Sequence, residues 1–251
     1  MNNYSKTEKS FLFSSLVLSF FVCMAVDSSA MHIMEGYLPV AHCFVWGAIC
    51  LPFLVLGVIN IKKTVNNSPK TLMILAMSGA FIFVLSSLKI PSVTGSCSHM
   101  TGTGLAAILF GVASSSVLGI IVLIFQAILL AHGGLTTLGA NTFSMAIAGP
   151  IVVYLLYNLG KKLKINKKLN IFIAAALGDL LTYCVTAIQL AIAYPSPTGG
   201  VGASMVKFLA VFAPTQVPLA IIEGILTVLI IIGLESYAVA ELEELNYYGE
   251  V

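Results

Sequence analysis

Charge is scarce in this chain. Of its 251 residues only 9% are charged, while 59% are hydrophobic. Soluble domains average about 25% charged and about 45–50% apolar residues, and a surface so poor in charge does not keep a protein in water. A soluble enzyme, a nucleic-acid binder and a disordered chain are all disfavoured. Arginine is missing altogether: the twelve basic residues are all Lys, so bidentate guanidinium recognition of phosphate is not available. Paired cysteines are missing too. Cys23, Cys43, Cys50, Cys97 and Cys184 contain no Cys-x-x-Cys spacing, which indicates neither a disulfide framework nor a thiolate zinc site. There is no His-Glu-x-x-His and no Gly-x-x-x-x-Gly-Lys-Ser/Thr, so neither an intramembrane zinc protease of that type nor an ATP-binding loop is supported. Uphill transport by such a chain would need energy from a partner or an ion gradient. What the chain does have is long apolar runs. Its solvent is lipid, and its length is counted in spans of about 20 residues.

The first 30 residues read as an export signal. Lys6 and Lys9 are basic, Phe11 to Val26 is apolar, and Ser28 and Ala30 put small residues where a signal peptidase cuts. An uncleaved first membrane helix is the alternative. Cleavage after Ala30 leaves a free amine on Met31. The apolar runs then predict an all-α membrane protein of about seven transmembrane helices, at 39–61, 71–88, 103–113, 116–132, 138–160, 169–194 and 215–236. The third is short and tilted or belongs with the fourth, and 203–213 reads as a partial or interfacial helix. Residues 31–236 form one membrane domain, and 237–251 an acidic polar tail. Lys62, Lys63 and Lys70 lie in one loop, and Lys161, Lys162, Lys164, Lys167 and Lys168 in another. An even number of spans separates them, so both fall on the cytoplasmic side by the positive-inside rule. The mature N-terminus is then outside and the C-terminus inside. Small residues at Ala107 and Gly111, and at Ala174 and Gly178, have the spacing of helix-docking faces and are candidates for contact with partner helices.

Four histidines stand out against this background: His32, His42, His99 and His132. After cleavage His32 follows the new amine directly. The Met31 amine, the His32 amide nitrogen and the His32 Nδ1 close a five- and a six-membered chelate ring on one metal ion. A fourth nitrogen completes a planar site, a geometry that suits Cu(II) or Ni(II) best. Binding of this kind releases protons, so affinity falls with pH. His99, in the small-residue loop Pro91 to Gly102 on the predicted outer side, is the best candidate for the fourth donor; the alternative is a loop His bonded to backbone. His42 marks an interface. His132 reads as a helix terminus in preference to a group behind the ligands. Asp179 and Glu223 fall within predicted spans, where charge is costly. They face the bundle or a cavity, either as polar glue between helices or in a direct role, and Gln126 and Asn141 share that ambiguity.

Three motifs carry a family resemblance. They are Met31-His32-Ile33-Met34-Glu35-Gly36-Tyr37-Leu38-Pro39, the loop Pro91 to His99 with Thr101-Gly102, and the run from Gln126 through His132-Gly133-Gly134-Leu135 to Asn141. Together they resemble the substrate-binding membrane subunit of energy-coupling-factor cobalt and nickel importers, the CbiM/NikM family, over essentially the whole mature chain. The resemblance implies a seven-helix bundle whose processed N-terminus dips in from outside. It implies a four-nitrogen metal site of Met31, His32 and His99, and Co2+ as transported substrate with Ni2+ as the alternative. The Met34 to Pro39 run looks more like the cobalt form. The implied partners are a CbiQ-like coupling subunit, CbiO-like ATPase subunits and a small CbiN-like membrane subunit, and the implied use is cobalamin synthesis. Met100 departs from the family pattern, which has Pro after the loop His. A secondary transporter with Asp179 and Glu223 as proton carriers is a second reading. For a membrane enzyme or sensor no nucleophile–base pair is found.

Overall fold

The computed structural model describes residues 32–91 and 97–247. The expected signal segment 1–30, its cleavage site and Met31 lie outside the described residues. The elements are α1 (Val40–Asn67), α2 (Thr71–Ser87), a two-residue ladder β1 (Ile90–Pro91) and β2 (Cys97–Ser98), α3 (Thr103–Leu129), α4 (Leu138–Asn141), a π-helical stretch (Thr142–Ala148), α5 (Gly149–Lys162), α6 (Lys167–Ala193), α7 (Gly200–Tyr237) and α8 (Val239–Glu244). Among the described residues, five helices are long and apolar enough to cross a membrane, with Thr71–Ser87 a shorter apolar helix. The chain is a multi-pass membrane protein. Val40, Phe44, Leu51, Val55 and Ile59 stand exposed along α1, as an apolar helix does when lipid is its solvent.

α3 is two helices joined at a break. Gly111 has φ 78 and ψ 175, far from helical values, in the middle of the element. Its surroundings fix the direction of each leg. Gly102 lies against Ile82, and Gly79 against Leu118, while Gln126 bonds Ser86. Residues 112–129 therefore run alongside α2 in the same direction. Residues 103–110 run the opposite way, from the level of Ile82 to a cavity of about 530 Å3 that Gly111 shares with Asn60, Tyr157 and Lys161. At 1.5 Å per residue this first leg is only about 12 Å long, a half-helix that begins in mid-bundle. The expected helices at 103–113 and 116–132 are thus two legs of one hairpin, and the turn falls at Gly111, not after it.

The expected break between 203–213 and 215–236 is absent, since α7 runs unbroken through Pro214 and Pro218. Proline removes one backbone bond, but packed neighbours satisfy the freed groups in membrane helices. Beside the carbonyls that lose a donor, those of Ala210 and Pro214, the Tyr183 hydroxyl donates to the Leu209 carbonyl and Thr215 to the Phe212 carbonyl at 3.0 Å. Of the small residues, Ala107 and Ala174 are fully buried, and a Cβ on Gly178 would meet the Val153 side chain at 2.2 Å. These three let the chain's own helices approach closely.

One end of the bundle gathers the two lysine-rich loops, whereas Lys89 lies toward the histidines. Lys70 pairs with Glu244 at 3.7 Å, Lys167 with Glu235, and Lys167 Nζ lies 4.5 Å from the Tyr247 ring centroid. The described part of the C-terminal tail, to residue 247, contains α8, whose Leu242 is buried with Ile74, Leu105 and Ile231. Both Lys-bearing loops and the tail share this end, and the histidines gather toward the other.

Candidate metal site

Residue 32 enters the bundle beneath the turn that follows α3. That turn is sharp because Ala131 has φ 46 and Gly133 φ 75, both in the left-handed region that side chains disfavour. Gly134 is needed for a different reason. A Cβ there would fall 2.5 Å from Glu35 Cα and 2.7 Å from Glu35 N, so the N-terminal segment lies directly on the glycine backbone. Next, α4 grips that segment. Asn141 Oδ1 accepts from Ile33 N at 2.8 Å, its Nδ2 donates to the Ile33 carbonyl at 3.0 Å, and the Thr137 hydroxyl donates to the same carbonyl at 2.6 Å. Ile33 itself packs with Leu38, Ala140 and Leu190. Outside this grip, Thr136 N donates to the Glu35 carboxylate at 3.2 Å. Hydrogen bonding to the Thr136 side chain holds the Glu35 carboxyl below the usual carboxylate range.

Clamped in this way, His32 meets His99 and His132. All three are buried, at 3%, 0% and 3% exposure, and one nitrogen from each lies within 4.8 Å of the others. His99 Nε2 is 2.6 Å from His32 Nδ1. Two ligands at about 90° on one ion, with bonds of about 2.0 Å, lie about 2.8 Å apart, so these nitrogens stand near the separation of neighbouring ligands in a planar site. His99 Nδ1 sits 2.8 Å from the Met100 carbonyl. Donating its proton there leaves the Nε2 lone pair facing His32, the usual way a protein orients a ligating imidazole. The substitution of Met at position 100 leaves this intact, because the backbone carbonyl is what the ring uses. The Met100 side chain packs with Leu85 and Leu219. His32 Nε2 and His132 Nε2 have no hydrogen-bond partner. Burial pushes His99 down to about 4 and His132 down to about 2, and lowers His32, whose neighbours His99 and His132 act in the same direction. Burial thus favours the neutral rings, and the nitrogens without a hydrogen-bond partner, His32 Nε2 and His132 Nε2, are open to a cation.

Of the donors expected from sequence, His32 and His99 are brought together, and Met31 lies outside the described residues. His132 belongs with them; it is not merely a helix terminus. Its ring lies 4.6 Å from that of His32 and 5.1 Å from that of His99. The Ala131 to Gly134 turn, with Ala131 at φ 46 and Gly133 at φ 75, swings the ring back into the bundle. His42 stands apart on α1. Asp179 and Glu223 are buried beside the His99 loop. Glu223 accepts from Thr101 N at 2.6 Å, and Asp179 Oδ2 accepts from Gln216 at 2.5 Å. Gln126 bonds Ser86 at 2.6 Å. Gln216 is a polar partner that sequence reading did not single out.

Known proteins share this arrangement of sequence. The family model described as "Cobalt uptake substrate-specific transmembrane region" matches residues 32–240. A protein of Lachnoclostridium phytofermentans named cobalt transport protein CbiM is 68% identical over 234 residues, 92% of this chain and 94% of that protein. Its namesake from Chlorobium limicola is 59% identical over 226 residues, 89% of each chain. A crystal structure of a truncated transition metal transporter superposes with a TM-score of 0.70 at 29% identity, covering 82% of this chain and 99% of that one. With a family match from residue 32 to residue 240 and relatives this similar along nearly their whole lengths, the chain belongs to the CbiM family of cobalt-uptake transmembrane proteins.

Proposed function

We propose that this chain captures Co2+ for import as the substrate-specific membrane subunit of an energy-coupling-factor transporter. The observation that carries the reading is the approach of His99 Nε2 to His32 Nδ1 at 2.6 Å, directly where the N-terminal segment enters the bundle. After signal cleavage the Met31 amine and the His32 amide nitrogen join His32 Nδ1 in a chelate, and His99 Nε2 closes the square. His132 stands beside this square as a neutral imidazole that lines one side. Lone pairs on neutral, buried nitrogens suit a late transition ion better than Mg2+ or Ca2+, which prefer oxygen.

The bundle has seven passes on this reading, the half-helix at 103–110 serving with its preceding loop as one of them. The metal-capture end faces outward and the lysine end faces the cytoplasm. CbiQ-like, CbiO-like and CbiN-like partners supply coupling and ATP hydrolysis, since no ATP-binding loop is found in this sequence, and cobalamin synthesis consumes the ion. Ni2+ is the second substrate reading, favoured by the tetragonal preference of a four-nitrogen set.

The test is N-terminal sequencing of the mature protein together with analysis of its bound metal, alongside His99→Ala. The expected result is Met31 as first residue, Co2+ bound one per chain, and a loss of at least about tenfold in affinity with His99→Ala. An uncleaved chain that binds Co2+ fully sinks the chelate. Exclusive Ni2+ occupancy sinks the cobalt assignment alone.

A further inference from the structure

We propose that Glu223, Gln216 and Asp179 are positioning residues for His99, gripping the loop that carries it from α6 and α7 while His32 is gripped from the opposite side by α4. This rests on the reading of His99 as a metal ligand. Glu223 is fully buried in the middle of α7, where a carboxylate is costly without compensation. It is compensated by the loop. One oxygen accepts from Thr101 N at 2.6 Å and the other from the Thr101 hydroxyl at 2.8 Å. The next residue, Gly102, turns the chain at φ 69 into the half-helix 103–110. The carboxylate thereby sits at the start of that half-helix, where unpaired N–H groups and the helix dipole favour an acceptor.

Gln216 lies two turns before Glu223 on α7, and so on the same face. Its Nε2 donates to the His99 carbonyl at 3.3 Å and to Asp179 Oδ2 on α6 at 2.5 Å. The backbone is therefore hooked at 99 and at 101, on both sides of Met100, whose carbonyl orients the His99 ring. The ligand set divides between two supports. Asn141 on α4 and Thr137 just before it hold the His32 side, and α6 and α7 hold the His99 side. A shift of α7 against α4 withdraws one ligand and leaves the other in place, a route to release that needs no protonation of either ring. Glu223 acts as a hydrogen-bond acceptor in this arrangement and not as a carrier of transported protons.

The experiment compares Glu223→Ala, Glu223→Gln, Thr101→Val and His99→Ala in the full mature chain, titrated with Co2+ while its visible ligand-field spectrum is recorded. Uptake of Co2+ is measured in cells carrying the complete transporter. Groups behind a metal ligand are worth about 10–100-fold in affinity. Glu223→Ala is expected to weaken Co2+ binding by at least about tenfold and to move the spectrum toward that of His99→Ala. Glu223→Gln, which keeps an acceptor for Thr101 N, is expected to restore affinity to within a few-fold, with the parent spectrum and uptake retained. Thr101→Val, which removes one hook at nearly constant volume, gives a smaller loss in the same direction and serves where Glu223→Ala does not fold. The proposal is overturned if Glu223→Ala or Thr101→Val keeps the parent affinity and spectrum, or if Glu223→Gln binds normally yet abolishes uptake, since a proton carrier does the latter. Full affinity in His99→Ala would instead overturn the ligand reading beneath it.

Discussion

At the scale of single residues, the site depends on what is absent from a side chain as much as on what is present. Gly134 supplies no ligand and makes no side-chain bond, yet a methyl group there would lie 2.5 Å from Glu35 Cα. Backbone cannot rotate away as a side-chain tip can. The cost of such overpacking is about 1–3 kcal/mol, and it falls on the segment that presents His32, whose backbone continues into the Asn141 clamp. Gly134→Ala is therefore expected to weaken Co2+ binding by about 5–150-fold, while the melting temperature of the metal-free protein moves little, because the helices beneath are untouched. Isothermal titration and a thermal melt on the same preparation check it; parent affinity would mean that the N-terminal segment does not rest on this glycine when metal binds. The pairing of His32 with His99 could be expected from sequence, because an amine, an amide and the following imidazole can chelate locally and then need one further donor from a loop; the structure places His99 Nε2 2.6 Å from His32 Nδ1. His132 was not legible, since its ring reaches the cluster only through the positive φ of Ala131, which no spacing rule announces in a non-glycine residue. Gln216 was hidden for a related reason: a glutamine in an apolar helix says that it has a partner, but not that the partner is the His99 carbonyl.

At the scale of elements, the hairpin of α3 turns on a single residue. Gly111, at φ 78 and ψ 175, occupies a backbone region that is essentially restricted to glycine. Space is not the constraint, because a Cβ at this position would meet nothing within 4 Å. Gly111→Ala thus isolates backbone strain from steric clash, with an expected destabilisation of about 1–3 kcal/mol. Gly233 provides the control: it too is open within 4 Å and shows no positive φ, so Gly233→Ala is expected to be neutral or slightly stabilising through helix propensity. Chemical or thermal unfolding in detergent distinguishes them, and equal behaviour of the two variants would mean that the break at 111 is relaxed in the folded protein. Sequence reading separated 103–113 from 116–132 on their apolar runs, and left open that the two belong together. It set the turn a few residues late, since the residue that reverses the chain is one glycine among 21. The expected gap between 213 and 215 misled in the opposite direction. Pro214 falls in that gap, yet α7 continues through it, with the hydroxyl of Tyr183 on α6 bonded to carbonyl oxygens at 208 and 209 just before it. Such a contact comes from a tertiary neighbour, which the local sequence does not contain.

At the scale of the whole molecule, three features share one end of the bundle: the loop with Lys70, the loop with Lys167, and the C-terminal tail through Glu244, Glu235 and Tyr247. Parity made this arrangement legible from sequence, since an even number of passes between two lysine loops returns the chain to the same side. The count is even only because α3 reverses at Gly111. If α3 crossed once, straight through, His99 and His132 would stand at opposite ends of a helix of about 40 Å, instead of 5.1 Å apart between ring centroids. The site and the lysine end are thus opposite poles of one topology, and the site tests the fold. Single cysteines in a background with Cys43, Cys50, Cys97 and Cys184 replaced test the orientation in turn. Cysteine at Asn66 or Lys164, both at the lysine end, is expected to react with a membrane-impermeant maleimide only after the cells are opened. Cysteine at Leu135 or Thr198, in the exposed loops toward the histidine end, is expected to react in intact cells. The paired positions carry the argument, because 66 and 164 must behave alike and opposite to 135. If 66 and 164 label on different sides, the passes between them are odd in number, and α3 cannot form the hairpin that brings His99 back to His132.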